Sequence, residues 1–365
     1  MERSAITEYG KHFVIGLQPT TTLSDHDRRL LADLKPAGVV LFGANFQHRV
    51  PYDDWLATYE RLIADVAESL ETSHFLLCID HEHGRVVRIP PPITRFAAAN
   101  RWAARAAAVG AATALELRSL GINVNLAPVV DVASNPRNPV IGDRSFSSDP
   151  DEVAAAAIAY IDALQAGGVL ACPKHFPGHG DTEIDSHLAL PRVRESMSVL
   201  ERRELLPFRR VVSRVKLVMT AHIVFDAIEP DVPATLSPRA LTDILRGDLG
   251  FAGAVITDDL GMRGIAPFFA DRDAPLRAVR AGCDLLTVCA SAMDTRRALE
   301  MAEALASHPG DEATAAALGR SRVRVQRLLA DIGPIRIRRL ADEVLAEHRH
   351  IAPLHAGSAP SPSPG

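Results

Sequence analysis

The sequence predicts an α/β fold, a single-domain (β/α)8 TIM barrel, and three observations predict it. Eight short apolar runs, at 12–17, 38–42, 75–80, 122–132, 169–176, 217–225, 252–259 and 283–289, alternate with longer amphipathic stretches. The runs are nearly continuous in apolar residues, the pattern of parallel strands covered on both faces. Five of them carry polar residues toward their C-terminal ends, Asp80, Asp131, Lys174 with His175, His222 and Asp258, and a parallel barrel builds its active site from that rim. A doubly wound open sheet gives the same local alternation. A single strand-end aspartate also serves as a helix N-cap. Five loaded ends in series favour the barrel.

Helical spacing of apolar residues fills the gaps at 25–34, 53–70, 97–120, 151–165, 196–215, 238–249 and 274–281. Beyond Ala290, further helices are expected at 294–307, 311–329 and 341–348, packed on the barrel exterior. No repeat or linker divides the chain, so 1–350 reads as one domain with extra C-terminal helices. The Pro/Ser-rich end, 351–365, reads as a disordered tail.

Composition narrows the functional class. Lys and Arg total 40 against 45 Asp and Glu, a net charge of -5, which gives no basic excess for nucleic acid. Cys78, Cys172, Cys283 and Cys289 lie in or beside apolar runs without metal-type spacing and read as buried, reduced thiols. The first eleven residues lack the apolar core of a secretory signal, and no run approaches the ~20 apolar residues of a membrane span. A cytoplasmic protein, monomeric and without membrane partners, is the expectation.

One stretch concentrates the chemistry. Lys174 to His187, KHFPGHGDTEIDSH, holds three histidines, two aspartates, a glutamate and a lysine. Pro177, Gly178 and Gly180 forbid a regular helix, so these groups belong to a loop. Asp185 and His187 stand two apart, a spacing that lets the carboxylate accept from the imidazole, fix its tautomer and raise its pKa from ~6.5 toward neutrality. Alternation along the seventh run lets only one of Asp258 and Asp259 face the barrel mouth. An ionised aspartate there serves as nucleophile or metal ligand. His175, His179, Asp181, Asp185 and His187 also suit a metal, with His81, Glu82 and His83 alternating after the third run. Spacing leaves the nucleophile and metal readings both open.

KHFPGHGDTEIDSH followed by ITDDLGM closely resembles the paired motifs of bacterial β-N-acetylglucosaminidases of glycoside hydrolase family 3, the single-domain type of cell-wall recycling. Segments 38–42, 79–88, 126–132, 138–146, 219–222 and 281–284 follow in the family's order, so the resemblance spans roughly 12–330. It implies a retaining exo-β-N-acetylglucosaminidase acting through a covalent glycosyl-enzyme. Asp258 would be the nucleophile, His187 the acid/base and Asp185 its orienting partner. Asp80, Arg88, Arg144, Lys174 and His175 would hold the N-acetylglucosamine of a small muropeptide substrate. No metal or organic cofactor is implied. A histidine acid/base leaves phosphate as an alternative acceptor to water. The competing readings are another β-glycosidase such as a glucosidase, a barrel metallohydrolase, and a sugar-binding protein without turnover. The chain departs from the family at His83, where a second glycine is usual, at His81, where Gln is common, and at Gly261, where Ser is frequent. The His83 imidazole is expected to add bulk at the pocket rim.

Overall fold

The eight apolar runs fold as eight parallel strands: β1 (Phe13–Gly16), β2 (Gly38–Leu41), β3 (Leu76–Ile79), β4 (Val124–Asn125), β5 (Leu170–Ala171), β6 (Leu217–Met219), β7 (Ala254–Asp259) and β8 (Leu285–Cys289). The computed structural model describes residues 3–183, 190–269, 272–290, 294–307 and 311–355. Each strand pairs with its neighbours in the chain except β5 with β6, and β1 lies beside β8. The two ends of the sheet meet just beyond β5. There Phe176 donates its N–H to the Met219 carbonyl at 2.8 Å, and Ala221 returns one to the Phe176 carbonyl at 2.7 Å. A doubly wound sheet reverses its strand order and leaves two free edges. This sheet does neither, and is a (β/α)8 barrel.

Period-two alternation sorts the strand residues into two layers. Val14, Val40, Cys78, Cys172, Met219 and Ile256 fill the interior. Ile15, Val39, Leu77, Val255 and Val288 point outward and pack under the helices. All four cysteines are buried and free.

The helices form where expected, with instructive exceptions. Asp25–Leu34 is capped by Ser24, whose hydroxyl accepts from the Asp27 N–H at 3.0 Å. Ala106–Ser119 starts later than the apolar spacing suggests, because Ala99–Arg101 and Ala103–Arg105 turn as 3-10 helices while Trp102 donates to the Ala97 carbonyl at 2.8 Å. Arg239–Asp248 winds as a π-helix. The stretch expected as one helix at 196–215 is broken into Met197–Arg202 and Leu205–Val211. Among the described residues no helix is long and apolar enough to cross a membrane.

The long helix Glu312–Ala330 corrects one expectation. Its first half packs in the outer helix layer through Ala317 and Leu318, but Val325 and Leu328, with Ile332 beyond them, join the interior cluster. Its Arg324 pairs with the buried Asp284 at 2.8 Å, and Arg246 reaches the same carboxylate at 2.7 Å. This helix therefore plugs the N-terminal end of the barrel. The lower interior side chains need an apolar cover, and periodicity reports that a helix has an apolar face without reporting which surface it meets. The shorter helix Asp342–His348 does dock outside, through His348 Nδ1 and Glu116 Oε1 at 2.7 Å. With one end plugged, the C-terminal mouth is where substrate has access.

Candidate active site

The mouth is organised by a buried network of two anions and two cations. Asp80 and Glu82 follow β3 at alternate positions. Lys174, which is 2% exposed, follows β5 and reaches both, with Nζ at 2.6 Å from Asp80 Oδ1 and 2.6 Å from Glu82 Oε1. Arg144, on the 3-10 turn Gly142–Arg144, donates Nε and Nη2 to the two Glu82 oxygens, each at 2.8 Å. Burial pushes the Glu82 carboxyl upward, but Arg144 and Lys174 outweigh it and hold the group well below its ordinary range. Lys174 is raised in turn, since Asp80 and Glu82 overcome the effect of burial. Glu82, Lys174 and Arg144 therefore stay charged at neutral pH.

Asp131, after β4, fixes the start of the histidine-rich loop. Its Oδ2 accepts from His175 Nδ1 at 2.7 Å, and its Oδ1 accepts the backbone N–H groups of His175 at 3.1 Å and His179 at 2.7 Å. A proton on Nδ1 leaves Nε2 as the free acceptor of the neutral ring. Asn138 donates to the carbonyls of His179 at 2.7 Å and Gly180 at 2.9 Å. Gly180 lies so close to the Val132 carbonyl that a Cβ would overlap it. The loop thus leaves the barrel along a fixed path.

Across the mouth, a register shift against β8 interrupts the alternation of β7 after Ile256, and the charge on Asp258 acts on His222 and on the interior thiol of Cys172. Asp259 points elsewhere, its Oδ1 accepting the N–H groups of Gly261 and Cys289, each at 3.0 Å. Asp259 is thus a brace between β7 and β8, and Asp258 the carboxylate presented to the mouth. His222 lies beside it, bonded through Nδ1 to Thr235 at 2.8 Å and through Nε2 to the Asp259 carbonyl at 3.1 Å. Burial lowers the His222 pKa, and the charge on Asp258 partly offsets that. Asp80 and Asp258 both act on the buried thiol of Cys172 and, with Asp259, on that of Cys289, helping burial to push both thiols up.

Of the expected site residues, the structure joins Asp80, Arg144 and Lys174 in one network, pairs His175 with Asp131, and sets Asp258 opposite. Arg88 stands by Phe42, its guanidinium carbon 5.9 Å from the ring centre, with a buried Nε that has no hydrogen-bond partner among the described residues. Asp185 and His187 lie outside the described residues. Glu82 and Asp131 were missed as site residues. Their signal was present for Glu82, which shares a strand face with Asp80 at i+2, and for Asp131 as a strand-end carboxylate. Among the described residues no three His, Cys, Asp or Glu side chains converge to hold a metal.

His83 corrects the expectation of a bulkier rim. It keeps a left-handed backbone, φ 70°, and turns its ring into the helix layer. Nε2 lies 2.8 Å from the Thr113 hydroxyl, and the ring edges onto Phe96 and Trp102. Such a backbone costs a residue with a Cβ about 1–2 kcal/mol, which burial of the ring helps to offset. Arg85 bonds the Val140 carbonyl and so supports the segment that carries Arg144.

Buried neutral histidines give the chain a measurable acid sensitivity. Burial pushes His81 down to about 3 and His179 down to about 4, and also lowers His12, His83 and His222. Below the ordinary histidine pKa of ~6.5 the unfolded chain takes up protons that the folded chain refuses. Stability is therefore complete above that value and drains as pH falls toward 4 for His179 and 3 for His81. The expected loss for each of these two between about pH 7 and about pH 5 is about 2 kcal/mol. Urea denaturation across that range checks it, and a flat midpoint would refute it.

The comparisons agree with this geometry. The glycosyl hydrolase family 3 N-terminal domain matches residues 10–328. The β-hexosaminidase of Methylococcus capsulatus is 37% identical over 320 residues, which are 84% of this chain and 92% of that protein. The chain spans about half, 48%, of the length of the β-hexosaminidase A of Pseudoalteromonas piscicida, to which it is 38% identical over 287 residues and 73% of its own length. A family 3 β-N-acetylglucosaminidase from Paenibacillus sp. str. FPU-7 superposes with a TM-score of 0.82 at 32% identity, over 95% of this chain and 68% of that one. NagZ from Neisseria gonorrhoeae, solved with N-trifluoroacetyl-D-glucosamine, superposes with a TM-score of 0.70 at 30% identity, over 93% and 97%. A closed barrel, a charged mouth and a match over most of the chain lead to one family: this chain belongs to glycosyl hydrolase family 3.

Proposed function

We propose that this glycoside hydrolase removes a terminal β-linked N-acetylglucosamine from a muropeptide in the cytoplasm, with retention of configuration. The observation that supports the reading is that the Asp259 carboxylate is engaged by the N–H groups of Gly261 and Cys289, while Asp258 acts, as Asp80 does, on the interior thiol of Cys172. Asp258 attacks the anomeric carbon as the glycosidic bond breaks, and the His187 imidazolium, oriented by Asp185, gives its proton to the leaving oxygen. The same imidazole then takes a proton from water as that water cleaves the glycosyl ester. Asp80, Arg88, Arg144, Lys174 and His175 hold the sugar, the cations donating to hydroxyls and Asp80 accepting from them. The relatives named β-hexosaminidase and the N-trifluoroacetyl-D-glucosamine complex of NagZ support the acetylated sugar as substrate.

Nitrophenol release from the β-N-acetylglucosaminide and the β-glucoside, each with and without EDTA, tests the reading, with NMR of the first-formed anomer. Release from the acetylated sugar alone, insensitive to EDTA and giving the β-anomer first, is expected. Loss of release to EDTA would establish the metallohydrolase, the α-anomer first an inverting enzyme, and sugar 1-phosphate formed in phosphate buffer a phosphorolytic acceptor. Binding without turnover would leave only a sugar-binding protein.

A further inference from the structure

We infer that Arg203 is a positioning residue for proton transfer: it ties together the two ends of the loop that carries Asp185 and His187. The inference rests on the function proposed above for that pair. Helix Met197–Arg202 ends where Arg203 leaves helical geometry, at φ -117° and ψ -74°. Its guanidinium then meets three carboxylates. Nη2 lies 2.9 Å from Asp181 Oδ2, Nη1 lies 3.8 Å from Glu195 Oε1, and Nε lies 2.6 Å from Glu204 Oε1.

Two of these carboxylates flank the catalytic pair in the chain, Asp181 before it and Glu195 after it. The third is a foundation. Glu204 is 1% exposed and accepts from the Ser134 hydroxyl at 3.3 Å. Its side chain fills the space beside Gly178, where a Cβ would come within 2.7 Å of it. Asp131 and Asn138 fix the loop as far as Thr182, whose hydroxyl lies 3.2 Å from Asn138 Nδ2, and Arg203 adds the link from Asp181 to Glu195 beyond the pair. The cost of misplacing an acid/base group by an ångström is large, and a planar fork with several donors can hold separate carboxylates where a point charge cannot.

The test compares leaving groups in the full chain. Phenyl β-N-acetylglucosaminide needs an acid to leave, and the dinitrophenyl glycoside needs little. kcat/KM reports the bond-breaking step for both. Arg203→Ala is expected to lose ~10- to 100-fold with the phenyl substrate and less than ~3-fold with the dinitrophenyl one. Arg203→Lys should fall between wild type and Arg203→Ala. Asp181→Asn strands no charge on Glu204, so it carries the test even if Arg203→Ala fails to fold, and it should show the same asymmetry. Equal losses on both substrates, or no loss, would overturn the inference. His187→Ala serves as the reference. If it lacks the asymmetry, the proposed function fails and the inference with it; if only His187→Ala shows it, the inference alone fails.

Discussion

Asp258→Asn is expected to lower kcat/KM on a β-N-acetylglucosaminide by about 10⁴-fold or more, since it removes the group that forms the covalent intermediate. The fold should survive. Asp258 sits at the open end of β7 and is half-buried, and the bonds that hold β7 to β8 run through Val255, Thr257, Asp259 and Leu260. Asp259→Asn gives the complementary result. Both N–H groups bond the one oxygen Oδ1, and an uncharged amide oxygen accepts them more weakly than a carboxylate does, so the loss should appear in thermal stability as well as in turnover. Kinetics and thermal melting on the two variants separate the roles. Activity of Asp258→Asn within about tenfold of wild type would remove Asp258 as nucleophile.

That division of labour was half legible in the sequence. Alternation states that one aspartate of the pair faces inward without saying which, and a register shift between β7 and β8 interrupts the alternation after Ile256. The eight strands were legible for a related reason, since a strand buried on both faces reads as an unbroken apolar run. Closure of the barrel was expected from the loaded strand ends and the resemblance, but the contact that makes it was not visible. It depends on Phe176 meeting Met219 and Ala221, a contact between distant residues that no local pattern encodes. The plug made by Glu312–Ala330 was hidden in the same way. At the site, Asp80, Lys174 and Asp258 were read from their rim positions, and Arg144 from the family resemblance. Glu82 was passed over because a buried carboxylate beside two histidines suggests ligation as readily as an ion network. The direction of His83 depends on its left-handed backbone, which moves the ring from the rim into the helix layer.

Glu82 carries the second large effect. Glu82→Gln keeps the shape and removes a charge that two buried cations share, leaving Lys174 and Arg144 with Asp80 as their remaining network anion. Breaking a buried ion pair by deleting one partner costs about 3–5 kcal/mol, because the surviving charge is left uncompensated. An amide offers one acceptor oxygen and turns an N–H₂ toward a cation, so it cannot receive both the Arg144 fork and Lys174 Nζ. Lys174 and Arg144 should shift, and with them the sugar they are proposed to hold, so KM should rise together with the loss of stability. The pH dependence gives a sharper check. The Glu82 carboxyl is depressed in the folded state, so its contribution is complete above the ordinary glutamate pKa of ~4.3 and is lost only as pH falls through the lower folded value. The stability gap between wild type and Glu82→Gln should therefore stay constant from about pH 6 to about pH 8 and narrow only in stronger acid. Urea denaturation at several pH values measures that gap, and a difference below about 1 kcal/mol near neutrality would mean that the network does not hold the mouth together.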